Sequence, residues 1–307
     1  MDHTTAALIR CAVCKGTLIL VEGTATGEPV RFDCDDCGGR YARLPSGVYD
    51  FTPAWPSFLK HHSTWNAGQN DYLRCARKLA YADDYEAYLR EIDSVREVYT
   101  SAFSLLGTIL DVGGGQGRLR HFLPPNSTYV SLDPWAEAFE HLENQPNLLR
   151  AYPCLQLPCT FLVGRAEYLP FVTRSVDWVH MRSVIDHFDD PYIALCEARR
   201  VLKPGGSLLV GVSISAVNGA GKPMMVSRAL KKLRDDGVAG ALSAAGRHIT
   251  GSSERDHHIW HPSLRELTTL LESVGLEIRK TYRQKRPYDH CVYVQAVRPV
   301  FRGTALS

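Results

Sequence analysis

From residue 108 to residue 297, short apolar runs alternate with stretches of helical spacing, and this alternation leaves few architectures open. "TILDV", "TYVSLD", "TFLVG", "VDWVHM" and "SLLVGV" have the length and composition of strands. "RLRHFL", "WAEAFEHLE", "PYIALCEARRVL" and "SLRELTTLLESV" repeat their apolar residues at three and four, as helices do. Strand followed by helix, several times over, builds a mostly parallel sheet with helices on both faces; "LEIRKTY" and "CVYVQAV" supply its last strands. Such sheets bind ligands beyond the carboxyl ends of their strands, near the point where the strand order reverses.

The first strand runs directly into "DVGGGQG", Asp111 to Gly117. Glycines between a strand and a helix mark a backbone that must approach a ligand closely. A dinucleotide fingerprint would need glycine at position 118, counting from Gly113, and Arg118 stands there. The pattern is D-x-G-x-G-x-G, with Asp111, Gly113, Gly115 and Gly117 in register. A pyrophosphate favours bare amides, whereas a zwitterionic amino acid bearing a sulfonium gains from a nearby carboxylate. The second strand ends in "SLDPW", so Asp133, followed by Pro134, is placed to accept both hydroxyls of a ribose.

Further on come "VGRAEYLPF", "SVDWVHMRSVIDHFDDP" and "ARRVLKPGGSLLV". Each is weak alone, but together and in order they resemble the class I S-adenosylmethionine-dependent methyltransferases of the methyltransferase type 11 group, over about residues 105 to 298. The resemblance implies a Rossmann-like α/β fold with a seven-stranded sheet and S-adenosylmethionine as methyl donor. It also implies that the glycine loop wraps the methionine part, Asp133 holds the ribose, Ala166 and Glu167 lie beside the adenine, and Met181 and Arg182 line the sulfonium side. Gly164-Arg165 departs from the Gly-Asp common in the group, which leaves the adenine amine to Glu167 or to backbone.

Near the start, Cys11, Cys14, Cys34 and Cys37 form C-x2-C-x19-C-x2-C, the spacing of a four-thiolate zinc site. Glycines in "CKG" and "CGG" suit the tight turns that aim two sulfurs at one ion, and "TLILVEG" and "VRFDC" alternate as short strands. They bury too little to fold alone, so zinc would supply much of the folding energy. The stretch ending "GGRYARLPSGVYDF" resembles the small Trm112-like zinc ribbons, which serve methyltransferases as partners or fused appendages. Residues 1 to 55 are therefore expected to form a ribbon, 56 to 104 a helical arm or cap, and 105 to 307 the methyltransferase domain, with a cap-like insertion at about 214 to 258. In the arm, Tyr85, Tyr88, Leu89, Ile92, Val95 and Tyr99 recur at helical spacing; either a cover over the site or a plain packing helix fits that pattern.

Transfer from a sulfonium is an in-line displacement, and a hydroxyl acceptor must also lose its proton. Histidine is the usual base. The candidates are His187 in "VIDHFDDP" and His257, His258 and His261 in "DHHIWHPS". Bland readings stand beside these: His187 without a catalytic role, and His261 packing before Ser263, an N-cap that Glu266 completes as a capping box. A divalent ion held by Asp256 with His257 or His258 is a further alternative. Cys75, Cys154, Cys159, Cys196 and Cys291 show no site spacing and read as packing.

Charge narrows the acceptor. The whole chain carries a net +2, short of the strongly basic footprint of nucleic-acid binders, and the ribbon up to Trp55 is net −2, which would repel phosphates. "RKTYRQKRPY" holds five basic residues beside tyrosines, a pattern shared by RNA-binding strands and by solvated hairpins. The expectation is an O- or N-methyltransferase of a small molecule, a sugar or secondary metabolite. The alternative is an rRNA or tRNA base methyltransferase whose ribbon aids RNA recognition; a silent scaffold would show a decayed glycine loop. No apolar run reaches the roughly 18 residues needed to span a bilayer and no signal peptide opens the chain, so a cytoplasmic location is expected.

Overall fold

A computed structural model describes residues 3–23, 30–53, 70, 84–136, 144–214, 260–284 and 291–300. The strands are β1 (Leu18–Val21), β2 (Arg31–Cys34), β3 (Arg40–Ala42), β4 (Tyr49–Asp50), β5 (Thr108–Val112), β6 (Thr128–Asp133), β7 (Thr160–Val163), β8 (Val176–Arg182), β9 (Leu202–Ser213), β10 (Glu277–Arg283) and β11 (Cys291–Val297). The α-helices are α1 (His3–Leu8), α2 (Tyr85–Glu97), α3 (Pro146–Ala151), α4 (Pro191–Val201) and α5 (Leu264–Ser273). None of the described helices is long and apolar enough to cross a membrane.

The main sheet has the order β10-β11-β9-β8-β5-β6-β7-β4. From β4 to β9 all neighbours are parallel, and β11 is antiparallel to both β9 and β10. The expected Rossmann-like architecture is present, with eight strands where seven were expected. The extra strand is β4, near the end of the segment expected to form the ribbon, whose Tyr49 and Asp50 pair with Leu162 and Val163 of β7. Strand order reverses on either side of β5, which lies between β6 and β8, so the loop after β5 opens at the switch point of the sheet.

Local chemistry explains the elements. β5 is buried along all but its first residue, as a central parallel strand covered on both faces must be. α4 starts at Asp190, whose carboxylate accepts from the Ile193 amide, with proline in the first turn. Its buried Ala194, Leu195, Ala198 and Val201 form one stripe against the sheet. α5 begins with the Ser263 and Glu266 capping box. "RLRHFL" is a 3-10 turn over Arg118–Phe122 instead of a helix. Two prolines follow, and the buried Arg120 donates to the carbonyls of Leu123, Pro124 and Pro125, fixing the chain as it leaves the turn.

The N-terminal segment that carries the four cysteines is joined to the sheet along its far edge. Arg10 N donates to Pro170 O at 3.0 Å, Val172 N to Leu8 O at 2.8 Å and Phe51 N to Val163 O at 2.8 Å. Cys11, Ala12, Cys34, Tyr41 and Phe51 share one apolar cluster with Leu132, Leu162, Leu169 and Phe171. Lys15 Nζ bonds Glu197 Oε2 at 2.7 Å and Ala12 O at 2.7 Å, tying the first cysteine turn to α4.

Of the expected arm, α2 is described, while residues 56–69 and 71–83 lie outside the described residues, as does most of the insertion. α2 buries Tyr88, Ile92 and Val95, with Tyr88 edge-on to Tyr152 after α3. A π-helical turn, Val98–Ala102, continues it. On the opposite edge, β10 carries exposed Arg279, Lys280 and Arg283; Arg279 pairs with Glu277 at 2.6 Å. Charged side chains on an edge strand discourage pairing with other chains.

Candidate active site and metal centre

The loops after β5, β6, β7 and β8 and the inner side of α2 enclose a cavity of about 460 Å³, within the range of small-ligand sites. Gly113 has φ +70, and a Cβ there would lie 2.3 Å from Val184 Cγ1. Gly115 has φ +49 and a Cβ there would meet nothing within 4 Å, so its face is open to the cavity. These two positions require glycine for different reasons, closeness in one case and left-handed backbone beside open space in the other.

Asp133 closes the same corner. Its Oδ2 accepts from Gly115 N at 3.0 Å and its Oδ1 from Trp135 N at 2.9 Å. Burial raises its carboxyl to about 6; the two amides pull the other way, and Asp111 adds to the rise. Ala166 and Glu167 occupy a 3-10 turn after β7. Glu167 Oε1 accepts from the amides of Asp189 (3.0 Å) and Asp190 (3.4 Å), and Arg165 lies 3.5 Å away, so this carboxylate also organises the loop before α4.

The cavity is lined by Asp111, Gly113, Gly115, Asp133, Pro134, Ala166, Glu167, Arg182 and His187 of the expected residues. Gly117 and Met181 do not line it. Gly117 packs against Phe161 and Tyr129, where it turns the chain at φ +79. Met181 is fully buried in the core: successive residues of a strand face opposite sides, and it is His180 and Arg182 that face the cavity. His261 is exposed and is not among the lining residues, while His257 and His258 lie outside the described residues.

Several lining residues escaped the sequence reading. Glu91 of α2 pairs with Arg118 and accepts from the Tyr152 hydroxyl at 3.1 Å, and Arg118 also donates to Gln116 Oε1 at 3.0 Å. The Arg118 guanidinium sits over the Tyr88 ring at 5.4 Å, so α2 is held over the glycine loop. Deeper in, Asp111 and His180 are each 3% exposed. Tyr129 OH donates to Asp111 Oδ2 at 2.6 Å, His180 Nδ1 is 2.7 Å from Asp111 Oδ1, and His180 Nε2 is 2.8 Å from Tyr99 OH. The signal for His180 was its parity with Arg182 in "VHMR"; Tyr99 carried none beyond helical spacing.

The candidate metal centre is compact. The four sulfurs of Cys11, Cys14, Cys34 and Cys37 all lie within 4.8 Å of one another, with 3.5 Å between Cys11 and Cys37 and 3.4 Å between Cys14 and Cys34. A tetrahedral zinc with ~2.3 Å bonds to sulfur sets its ligands ~3.8 Å apart, so the donor set fits. Tyr41 OH contacts Cys11 Sγ at 3.0 Å and accepts from Ala12 N at 3.1 Å, which leaves its proton for the sulfur. Burial works against ionisation of Cys11, but the Tyr41 hydroxyl and nearby amides bring its thiol down to about 6.

Comparison with known proteins bears on the same region. Residues 110–210 match the family described as methyltransferase domain. An uncharacterized methyltransferase of Schizosaccharomyces pombe is 31% identical over 42% of this chain and 50% of its own, so the chain spans about half the length of that curated relative. A ubiquinone/menaquinone biosynthesis C-methyltransferase of Hahella chejuensis is 29% identical over 57% of this chain and 69% of its own. The solved structure of Burkholderia thailandensis 1,6-didemethyltoxoflavin-N1-methyltransferase, with 1,6-didemethyltoxoflavin and S-adenosylhomocysteine bound, has a TM-score of 0.49 at 16% identity, covering 87% of this chain and 98% of that one. Residues 110–210, the part of the chain that matches the methyltransferase domain family, carry the glycine loop, Asp133, Glu167 and His180.

Proposed function

We propose that the chain transfers a methyl group from S-adenosylmethionine to an oxygen or nitrogen of a small-molecule acceptor. The observation that carries this reading is the convergence of Gly115, Asp133 and Glu167 on one cavity at the switch point of the sheet. The fit is specific: the open face of Gly115 gives a cradle that a side chain would fill, and Asp133 presents a carboxylate at the end of β6, where a ribose diol can donate to it. Ala166 and Glu167 form the wall for the adenine, and Gly113 and Gly115 shape the floor for the methionine part. The donor supplies a methyl group on a sulfonium; the chain orients it and shields it from water.

The four cysteines hold a structural zinc in a Trm112-like ribbon, and the ribbon braces the β7 edge through β4. The ribbon's net negative charge favours a small molecule over RNA. The test is incubation of the purified protein with methyl-labelled donor and cell extract separated into RNA, protein and small-molecule fractions. Label in the small-molecule fraction is expected. Label confined to nuclease-sensitive material would replace this acceptor class with RNA.

A further inference from the structure

Resting on the methyltransferase reading, we propose that Tyr99, His180 and Asp111 form a proton relay, with Tyr99 as the group that touches the acceptor. The acceptor's nucleophilic atom is then one that carries a proton and must lose it, a hydroxyl or an N–H.

Hydrogen-bond directions follow from the partners. A carboxylate can only accept, so the Asp111 oxygens take the Tyr129 hydroxyl and the His180 Nδ1–H. In its Nδ1–H tautomer His180 offers a lone pair at Nε2, which lies 2.8 Å from the Tyr99 hydroxyl that donates to it in the relay. In the relay Tyr99, which lines the cavity, offers a hydroxyl lone pair to an incoming O–H or N–H. Burial is the main cause that holds the Tyr99 phenol well above its ordinary pKa, so the phenol keeps a proton until the acceptor donates one.

Placement supports the role. His180 and Asp111 are register partners on adjacent parallel strands, β8 and β5. Tyr99 is carried by the π-helical turn Val98–Ala102, a form found frequently at functional sites. Its ring is fixed edge-on to His180 at 5.6 Å and to Tyr293 at 6.4 Å, and all three relay residues line the cavity.

The step balances. As the acceptor's lone pair forms a bond to the methyl carbon, the carbon–sulfur bond breaks and its electron pair remains on sulfur. The acceptor's proton passes to Tyr99 Oη while the Tyr99 proton moves to His180 Nε2. The resulting imidazolium is balanced by the Asp111 carboxylate, as in other histidine–carboxylate pairs. Tyr99 is the catalytic residue; His180 and Asp111 act through it.

The test has two arms on the full chain, with folding checked by thermal melting. In the first, protein labelled with 15N-histidine is examined by long-range proton–nitrogen NMR, and the His180 signals are assigned by their loss in His180→Gln. Expected are a protonated Nδ1 and an unprotonated Nε2 whose shift moves in Tyr99→Phe; a proton on Nε2 would overturn the relay. In the second, methyl-labelled donor and the small-molecule fraction of cell extract are given to wild type, Tyr99→Phe and His180→Gln. Turnover is expected to fall about 10²- to 10⁴-fold in both variants, with donor affinity by calorimetry within about threefold of wild type. Bound donor with unimpaired turnover in the variants overturns the relay alone. A wild type that binds no donor overturns the methyltransferase reading and the relay with it.

Discussion

The Gly115 amide and the Asp133 carboxylate are joined at 3.0 Å, so the glycine loop after β5 and the end of β6 are set as one unit. A ribose diol bound there would meet a carboxylate already oriented by two amides. Because Asp133 titrates near 6, its ionisation is coupled to binding. The folded value lies above its ordinary 3.8, so its contribution to folding stability is present below 3.8 and lost as pH rises through about 6. Diol donors favour the ionised form, so binding should release a proton near pH 6. Donor affinity is expected to fall up to tenfold per pH unit below about 6, measured by calorimetry in two buffers of different ionisation enthalpy; a flat profile from pH 5 to 8 would remove Asp133 from the diol site.

Gly113 and Gly115 should fail differently when given a methyl group. Gly113→Ala drives a Cβ against Val184 in left-handed backbone, and a loss of about 1–3 kcal/mol of stability is expected, seen as a lower melting temperature. Gly115→Ala meets no neighbour and should cost only about 1–2 kcal/mol through backbone handedness, yet it places a methyl group in the cavity. It is expected to weaken donor binding at least tenfold in calorimetry, while equal binding by Gly115→Ala and wild type would contradict the cradle.

Zinc should matter to the donor site although the cysteines are not among the residues that line the cavity. Leu8, Arg10 and Phe51 bond backbone between Val163 and Val172, the stretch that contains Ala166 and Glu167. Chelating the metal, or replacing Cys14 with Ser, is expected to lower both the melting temperature and donor affinity, with one zinc per chain in wild type by elemental analysis. A metal-free ribbon with full donor affinity would separate the two sites.

Tyr41→Phe keeps the ring in the shared core and removes the hydroxyl that donates to Cys11. The expected result is a 10- to 100-fold loss of zinc affinity in a chelator competition, with little change in the melting temperature of the zinc-loaded protein. Unchanged zinc affinity would assign Tyr41 to packing alone.

Most strands of the sheet were legible as apolar runs bounded by turns, from Thr108–Val112 to Cys291–Val297, whereas β10 is rich in charged residues. The positions of Asp133 and Ala166 were legible for the same reason, since they end or follow such runs. What the sequence hid depended on distant partners. β4 is two residues long and becomes a strand only because Leu162 and Val163 are there to pair with it. Met181 was misplaced by one step of strand parity, which also concealed His180. Tyr99 looked like one more apolar contact of an arm helix, since only folding brings it within 2.8 Å of His180. Arg118, read only as a departure from a dinucleotide motif, is the link between the glycine loop and Glu91.

A donor site built on Asp133 at the switch point of the sheet is open to calorimetric titration of S-adenosylmethionine into wild type and Asp133→Ala. One site per chain is expected in wild type and an affinity about 100-fold lower in the variant, with both proteins folded by circular dichroism. No binding to wild type, or equal binding to both, would contradict it.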